Sequence, residues 1–162
     1  MRYYRLRTIG RFLVLLVSFA MPDAALAEEA GRWLLQTSIY TAHFSPNPEH
    51  DNTQKLLNLE YRPTDRCLVC AAAFDSSFGQ PSQYVYYGRL WRPFESAPLL
   101  HVKLTGGLVH GYKGKYRDKI PLNTGGIAPA LIPSLGLSGR HLSAEVVLFG
   151  TAGAMATIGV LF

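Results

Sequence analysis

The sequence is poor in cysteine and in charge. Its 162 residues include two cysteines, and 17% are Asp, Glu, Lys or Arg against 48% apolar residues. Two cysteines are too few for a disulfide scaffold, and so apolar a composition is not that of a disordered chain. Beyond residue 27 no run reaches the ~18 consecutive apolar residues of a membrane-spanning helix. The chain is therefore expected to fold from short apolar segments.

The first 27 residues have the three parts of a secretory signal peptide. Four arginines precede a ten-residue apolar run at 12–21, and the small-x-small sequence Ala25-Leu26-Ala27 follows. Removal of this segment lowers the net charge from +5 to +2, so the basicity gives little support to nucleic-acid binding. We expect an exported protein with a signal peptide at 1–27 and one domain at 28–162.

After the signal, apolar and polar residues alternate with the period of a β-strand. Clusters of Gly, Pro, Asp and Ser separate the alternating runs, as turns require. The predicted strands are 33–44, 53–62, 66–76, 83–92, 99–110, 128–138, 141–149 and 154–162.

A soluble β-sandwich and a membrane barrel both contain many alternating strands. The even strand number, strand lengths of about ten residues and aromatic residues near strand ends favour the barrel. The last strand ends at Phe162, like the C-terminal signal of bacterial outer-membrane barrels. The sequence predicts an all-β, eight-stranded antiparallel up-and-down transmembrane barrel in the bacterial outer membrane. The aromatic residues assigned to its girdles are Trp33, Tyr40, Tyr61, Tyr84, Tyr86, Tyr87, Trp91, Tyr112 and Tyr116.

Alternation also assigns a face to each strand residue. A barrel of eight strands is filled by side chains or holds one small ligand, which excludes an open porin. The residues expected to face lipid are Leu57, Leu59, Tyr61, Leu100, Val102, Leu104, Val146, Leu148, Ile158, Val160 and Phe162. Those expected in the lumen are Asn58, Glu60, Arg89, His101, Lys103, Thr105, Ser143 and Glu145.

Polar residues collect at one predicted rim. With both chain ends in the periplasm, the connections 45–52, 77–82, 111–127 and 150–153 point out of the cell. A site acting on lipids of the outer leaflet would have to lie at this level. The rim residues are His43, Ser45, His50, Asp75, Ser76, Ser77, Tyr112, Tyr116, Arg117 and Asp118.

Three segments resemble the PagP family of lipid A palmitoyltransferases. Phe74-Asp-Ser-Ser-Phe78, followed by Tyr84-Val-Tyr-Tyr-Gly88, is similar to the family's Phe-x-Asp-Ser-Trp segment and the tyrosine and glycine after it. Thr41-Ala-His43 resembles the catalytic histidine at the outer end of the first strand, and 127–136 resembles the proline-broken sixth strand. The resemblance runs loosely from about residue 37 to residue 162, and the family's N-terminal amphipathic helix is absent or reduced to a few residues before Trp33.

The resemblance implies an enzyme that moves a palmitoyl chain from a phospholipid to lipid A. His43 is then the general base or acid, because imidazoles titrate near neutral pH. Ser77 is a nucleophile or a donor to the developing oxyanion. The acidic partner stays open, because Asp75 shares a strand face with Ser77, whereas the family's aspartate aligns with Ser76.

The resemblance also implies where the lipids bind. Pro129 and Pro133 match prolines that flank lateral gates for the acyl chain, and each leaves a hydrogen bond missing from the wall. Gly88 matches the glycine that lets the acyl chain reach the lumen floor. Tyr116 and Arg117 belong to a basic third loop that we expect to contact lipid phosphates.

Arg89, beside Gly88, is expected to seat the lumen floor with Glu60 or Glu145.

We expect no cofactor, because no metal cluster or nucleotide fingerprint appears in the sequence. The pair Cys67-x-x-Cys70 lacks a second pair for zinc, and its members face opposite sides of a strand, too far apart for a disulfide. The expected partners are membrane lipids and, during folding, the outer-membrane assembly machinery; the barrel is expected to be a monomer.

Two other functions stay open. His43-x-Ser45 resembles the His-x-Ser pair of PagL-type lipid A deacylases, with Glu49 or Glu60 as the acid, although that family keeps its pair near the C-terminus and an Asn, not a Pro, follows it. A non-catalytic barrel for adhesion or membrane integrity is the other, and in it changes at His43 or Ser77 would alter no lipid.

Overall fold

Eight antiparallel strands form a closed barrel in the computed structural model, which describes residues 31–45 and 55–162. Each strand pairs with its neighbours in sequence, and the last strand pairs with the first. The strands are β1 (Arg32–His43), β2 (Leu56–Arg62), β3 (Cys67–Asp75), β4 (Pro81–Trp91), β5 (Leu100–His110), β6 (Ile127–Ser138), β7 (Leu142–Leu148) and β8 (Gly153–Leu161). The predicted fold and all eight strands are confirmed. The proposed signal peptide lies outside the described residues.

One short 3-10 helix, Gly114–Lys119, lies between β5 and β6. Within the described ranges, no helix is long and apolar enough to cross a membrane.

The outer surface of the barrel is apolar, because every second strand residue points outward. Leu57, Val102 and Val160 are among the exposed side chains on this surface, as the alternation predicts. Transfer of such side chains from water to hydrocarbon is favourable by roughly 25 cal/mol per Å². The outer face is therefore suited to lipid, and the barrel has the construction of a transmembrane β-barrel.

A β-bulge interrupts the alternation in β1. The pairing of β1 with β8 shifts between Ser38 and Tyr40, so Ile39 is an extra residue in the strand. Ile39 and Tyr40 are both exposed, and Thr41 beyond them is buried. A one-residue shift exchanges the two faces of a strand. The bulge therefore turns Thr41 and His43, which alternation from Leu34 would place outside, toward the lumen.

We call the barrel end that carries the connections 44–55, 76–80, 111–126 and 149–152 the long-loop end, and the opposite end the short-turn end.

The lumen near the short-turn end is filled by charged side chains. Lys103 Nζ lies 2.8 Å from Glu60 Oε2 and 2.8 Å from Glu145 Oε2. Arg62 Nε donates to Glu60 Oε1 at 2.7 Å, and His101 Nε2 lies 3.4 Å from Glu145 Oε1. All five side chains are buried, so this ion-pair floor closes the lumen.

Arg89 is not part of the ion-pair floor, and its predicted place in the lumen is wrong. Gly88 and Leu90 on either side of it point inward, so Arg89 points outward and is exposed. Arg62 at the end of β2 supplies the guanidinium of the floor instead.

The lumen toward the long-loop end is mostly apolar. Tyr84 and Tyr86 stack there with ring centroids 4.4 Å apart, which corrects their assignment to the aromatic girdle. Side chains of β4 alternate between the two faces, so Tyr84 and Tyr86 point into the lumen and Tyr87 points outward, where it is exposed. The apolar cluster comprises Leu68, Cys70, Ala72, Tyr84, Tyr86 and Val109, with Leu56, Phe74, Tyr112, Ile120, Ala130 and Ile132 packed against it.

Two seams in the wall are short of backbone pairing near the long-loop end. The ladder between β6 and β7 includes only Ser134–Ser138 of the twelve residues of β6. The ladder between β1 and β2 includes Arg32–Thr37 and stops before the bulge. Two backbone carbonyl groups of β6 at the first seam accept hydrogen bonds from side chains instead. Tyr84 Oη and Thr105 Oγ1 donate to them at 3.3 and 3.0 Å.

Candidate functional site

A histidine and a serine meet at the long-loop mouth of the lumen. His43 Nε2 lies 2.8 Å from Ser77 Oγ, and both side chains are half-buried. The bulge in β1 directs His43 inward, and Ser77 lies in the tight connection between β3 and β4. When Nε2 is unprotonated, Ser77 donates its hydroxyl proton to His43. This is the arrangement of a serine activated by an adjacent general base.

Ser76 holds the connection that presents Ser77. Its side chain is 1% exposed, and its Oγ accepts the backbone N–H groups of Phe78 and Gln80 at 3.3 and 3.2 Å. Gly79 closes the turn with φ +68°, a conformation that glycine adopts without strain. Ser76 thus serves the turn, and its hydroxyl does not reach His43.

Asp75 ends β3 and points to a different surface feature. It lines a cleft of about 290 Å³ at the ends of β2, β3 and β4, in which Lys55 is the other charged residue. Its backbone N–H donates to the carbonyl oxygen of Lys55 at 3.1 Å. Among the described residues, no hydrogen bond joins the Asp75 carboxylate to His43.

Tyr112 is a second partner of Ser77, through a hydrogen bond between the two hydroxyl groups. Tyr112 lies two residues beyond the end of β5 and has a φ of +46°. Burial raises the pKa of Tyr112 above its usual value, although the hydrogen bond to Ser77 opposes the shift. The phenol therefore stays protonated, and its hydroxyl lies beside the Ser77 hydroxyl that contacts His43. The sequence placed Tyr112 at the rim but gave no signal for this contact.

The third loop is anchored beside Ser77. The Phe78 ring stacks on Tyr116 at 4.2 Å between centroids, and the Gln80 side chain makes hydrogen bonds of 3.0 and 3.3 Å with the backbone of Lys113. Lys115 Nζ lies 4.7 Å from the centre of the Tyr116 ring, a cation–π contact.

Arg117 is exposed on the same loop, where its Nε donates to the carbonyl oxygen of Asn123 at 3.5 Å. Of the predicted loop residues, Tyr116 therefore packs on the residue that follows Ser77, and Arg117 is directed to its own loop.

Gly88 lies on the lumen face of β4, below the apolar cluster. A Cβ there would be 2.8 Å from Thr105 Cγ2 and 2.9 Å from Leu68 Cδ1. Side chains thus fill the lumen at the level of Gly88, between the apolar region and the ion-pair floor.

Pro129 and Pro133 lie in the part of β6 that has no ladder with β7. They pair in continuous register with Leu108 and Leu104 of β5. The structure therefore puts the two prolines beside the open seam rather than beside His43.

Of the remaining rim residues, Ser45 is exposed beyond the end of β1. His50 and Glu49 lie outside the described residues. Cys67 and Cys70 are free thiols, as predicted.

The closed ladder, the apolar outer face and the ion-pair floor of the lumen define an eight-stranded transmembrane β-barrel, a fold consistent with an outer-membrane location. No family model matches the sequence, and no curated protein matches it. A solved structure described as "De novo design of transmembrane beta-barrels" is similar, with a TM-score of 0.55 and 13% identity over 82% of this chain and 95% of that chain. At this identity the similarity shows the fold alone.

Proposed function

We propose that the protein is an outer-membrane acyltransferase that moves a palmitoyl-type chain from a phospholipid to lipid A. The observation that carries the proposal is the 2.8 Å contact of His43 Nε2 with Ser77 Oγ at the mouth of the lumen. The pair has the geometry of a serine beside a general base, and at the long-loop mouth it would lie at the level where outer-leaflet lipids present their ester bonds.

In the proposed reaction, Ser77 Oγ attacks the ester carbonyl carbon of the donor phospholipid while His43 Nε2 accepts its proton. Collapse of the tetrahedral intermediate breaks the bond to the glycerol oxygen, which takes the proton from His43 and leaves as a lysophospholipid. An acceptor hydroxyl of lipid A then gives its proton to His43 and attacks the acyl-Ser77 ester. Ser77 leaves as the alkoxide and regains the proton from His43.

The wall and lumen support a lipid substrate. The seam between β6 and β7 exposes an unpaired stretch of strand beside Pro129 and Pro133, through which an acyl chain would enter from the membrane. The apolar cluster below Ser77 would surround the chain. Lys115 beside Tyr116 would meet the phosphates of the acceptor.

The experiment is mass spectrometry of lipid A from a Gram-negative host that lacks its own palmitoyltransferase. The wild-type protein should add one long saturated acyl chain. His43→Ala and Ser77→Ala should abolish the addition, because each removes one member of the pair. Ser45→Ala is the matched control and should leave the addition unchanged.

The alternatives give different spectra. Loss of one hydroxyacyl chain, sensitive to Ser45→Ala, would establish the deacylase instead. That function is less favoured because His43 contacts Ser77 and Ser45 is exposed past the strand. Identical spectra from vector and wild type, with the folded barrel present in the outer membrane, would exclude both lipid A activities.

A further inference from the structure

Thr41 occupies the lumen face of β1 two residues before His43. It lies beyond the bulge, pairs with Met155 of β8, and is 2% exposed. Residues i and i+2 of a strand point to the same side about 6.6 Å apart. Thr41 is therefore one step deeper in the lumen than the histidine, on the side from which an acyl chain would approach Ser77.

The Thr41 hydroxyl is buried and has no hydrogen-bond partner among the described residues. The other buried serines and threonines all have partners; they are Ser76, Ser82, Thr105, Ser134, Ser138, Ser143 and Thr157. A buried hydroxyl without a partner is unfavourable, and valine has nearly the same shape without this disadvantage. The lone hydroxyl therefore calls for a ligand that would complete its hydrogen bonding.

We propose that Thr41 Oγ1 is the binding site for the carbonyl oxygen of the donor's acyl ester. This inference rests on the proposed acyl transfer. When the carbonyl carbon contacts Ser77 Oγ and the acyl chain extends into the lumen, its oxygen can lie within hydrogen-bond distance of Thr41. The carbonyl oxygen becomes an oxyanion when Ser77 attacks, and the Thr41 hydroxyl then donates to it. The Thr41 hydroxyl keeps its proton throughout, so all proton transfers of the reaction take place between Ser77, His43 and the two lipids.

The test compares variants of the full-length purified barrel in detergent micelles, with phospholipid as donor and lipid A as acceptor. Thr41→Val should lower kcat about 10²- to 10³-fold, the usual effect of removing one oxyanion donor, and should change KM little. Thr41→Ser keeps the hydroxyl and should retain most of the rate. Met155→Leu changes packing at the same level of the lumen and is the matched control, with a near-normal rate.

If the Thr41 hydroxyl had only a structural role, the variants would give different results. Thr41→Val would then leave kcat unchanged or would lower the unfolding midpoint in urea, and Thr41→Ser would not differ from it in rate. Either result overturns the inference. The expected Thr41→Val barrel is at least as stable as the wild type, because it loses an unsatisfied buried hydroxyl.

A binding measurement separates this inference from the proposed function. The probe is a long-chain alkylphosphonate monoester, whose tetrahedral anionic head resembles the oxyanion, with the corresponding uncharged alkyl ether as reference. Thr41→Val should weaken phosphonate binding at least tenfold and ether binding little. If the wild type transfers no acyl chain but this difference appears, the acyltransferase is excluded and Thr41 is shown to bind an anionic oxygen without serving acyl transfer. If transfer occurs and the difference is absent, the Thr41 site is excluded alone.

Discussion

The two halves of the lumen are built from the same strands but differ in polarity, since one contains ion pairs and the other is mostly apolar. Near the short-turn end, Lys103 and Arg62 neutralise Glu60 and Glu145, and every charge has a close partner. Near the long-loop end the lumen is mostly apolar, two seams of the wall have shortened ladders, and one buried hydroxyl, that of Thr41, lacks a partner among the described residues. The first half closes the barrel with ion pairs, whereas the second is the part in which we propose that the acyl chain binds.

Removal of the central cation should have the largest effect on stability. Lys103→Met leaves two buried carboxylates facing each other, and loss of one partner in a buried ion-pair network costs about 3–5 kcal/mol. The check is urea unfolding of the barrel in phospholipid vesicles, with the exposed Lys55→Met as control. A Lys103→Met variant as stable as the control would show that the ion-pair floor contributes no stability, and the contrast between the halves would be lost.

An added methyl group at the boundary between the halves should have an intermediate effect. Gly88→Ala brings a Cβ within 2.9 Å of Leu104 O and 2.8 Å of Thr105 Cγ2, and overpacking of this kind costs about 1–3 kcal/mol. At Gly106 the nearest atom to an added Cβ is 3.6 Å away, so Gly106→Ala should leave the free energy of unfolding nearly unchanged. Equal unfolding midpoints of the two variants would show that the lumen at Gly88 is not filled.

Loss of the Tyr112 phenol should have the smallest effect and should alter activity rather than stability. Tyr112→Phe removes a hydrogen bond to Ser77, worth about 0.5–1.5 kcal/mol, so kcat should fall roughly tenfold or less. The control is Tyr116→Phe, which keeps the stack on Phe78.

The pH dependence of the same rate sharpens this expectation. Burial raises the pKa of Tyr112, so the phenol stays protonated to a higher pH than a free tyrosine, which titrates near ~10. Tyr112 ionisation should therefore not lower the wild-type rate below pH ~10. A loss of rate below that pH that disappears in Tyr112→Phe would contradict the assignment of a protonated phenol.

The sequence predicted the barrel well because alternation is a local signal that closure preserves. All eight strands appear within three residues of their expected bounds. Alternation also predicted the inward Glu60, Lys103 and Glu145, since each stands between outward apolar residues. It misassigned Arg89 because two adjacent residues, Gly88 and Arg89, were both expected inside.

The candidate site was less predictable because it depends on long-range geometry. His43 and Ser77 are 34 positions apart, and their contact requires the bulge as well as the pairing of β1, β2 and β3. The segment Ser38-Ile39-Tyr40-Thr41 contains no glycine or other sign of a bulge. The unpartnered state of the Thr41 hydroxyl is likewise a property of the folded lumen and has no trace in the sequence.

The bulge in β1 sets a rule for comparing this chain with related sequences. Because side chains alternate with a period of two, a relative that keeps the length of this stretch but pairs without a bulge would carry its histidine on the lipid side, even if every motif residue were kept. A relative that lacks the extra residue Ile39 and has no bulge would carry its histidine on the lumen side, as this chain does. A relative with two more residues in this stretch would keep the histidine inside. The spacing between the inward Leu34 and the histidine must therefore be considered together with the bulge: an odd spacing directs the histidine into the lumen only with a bulge, and an even spacing only without one.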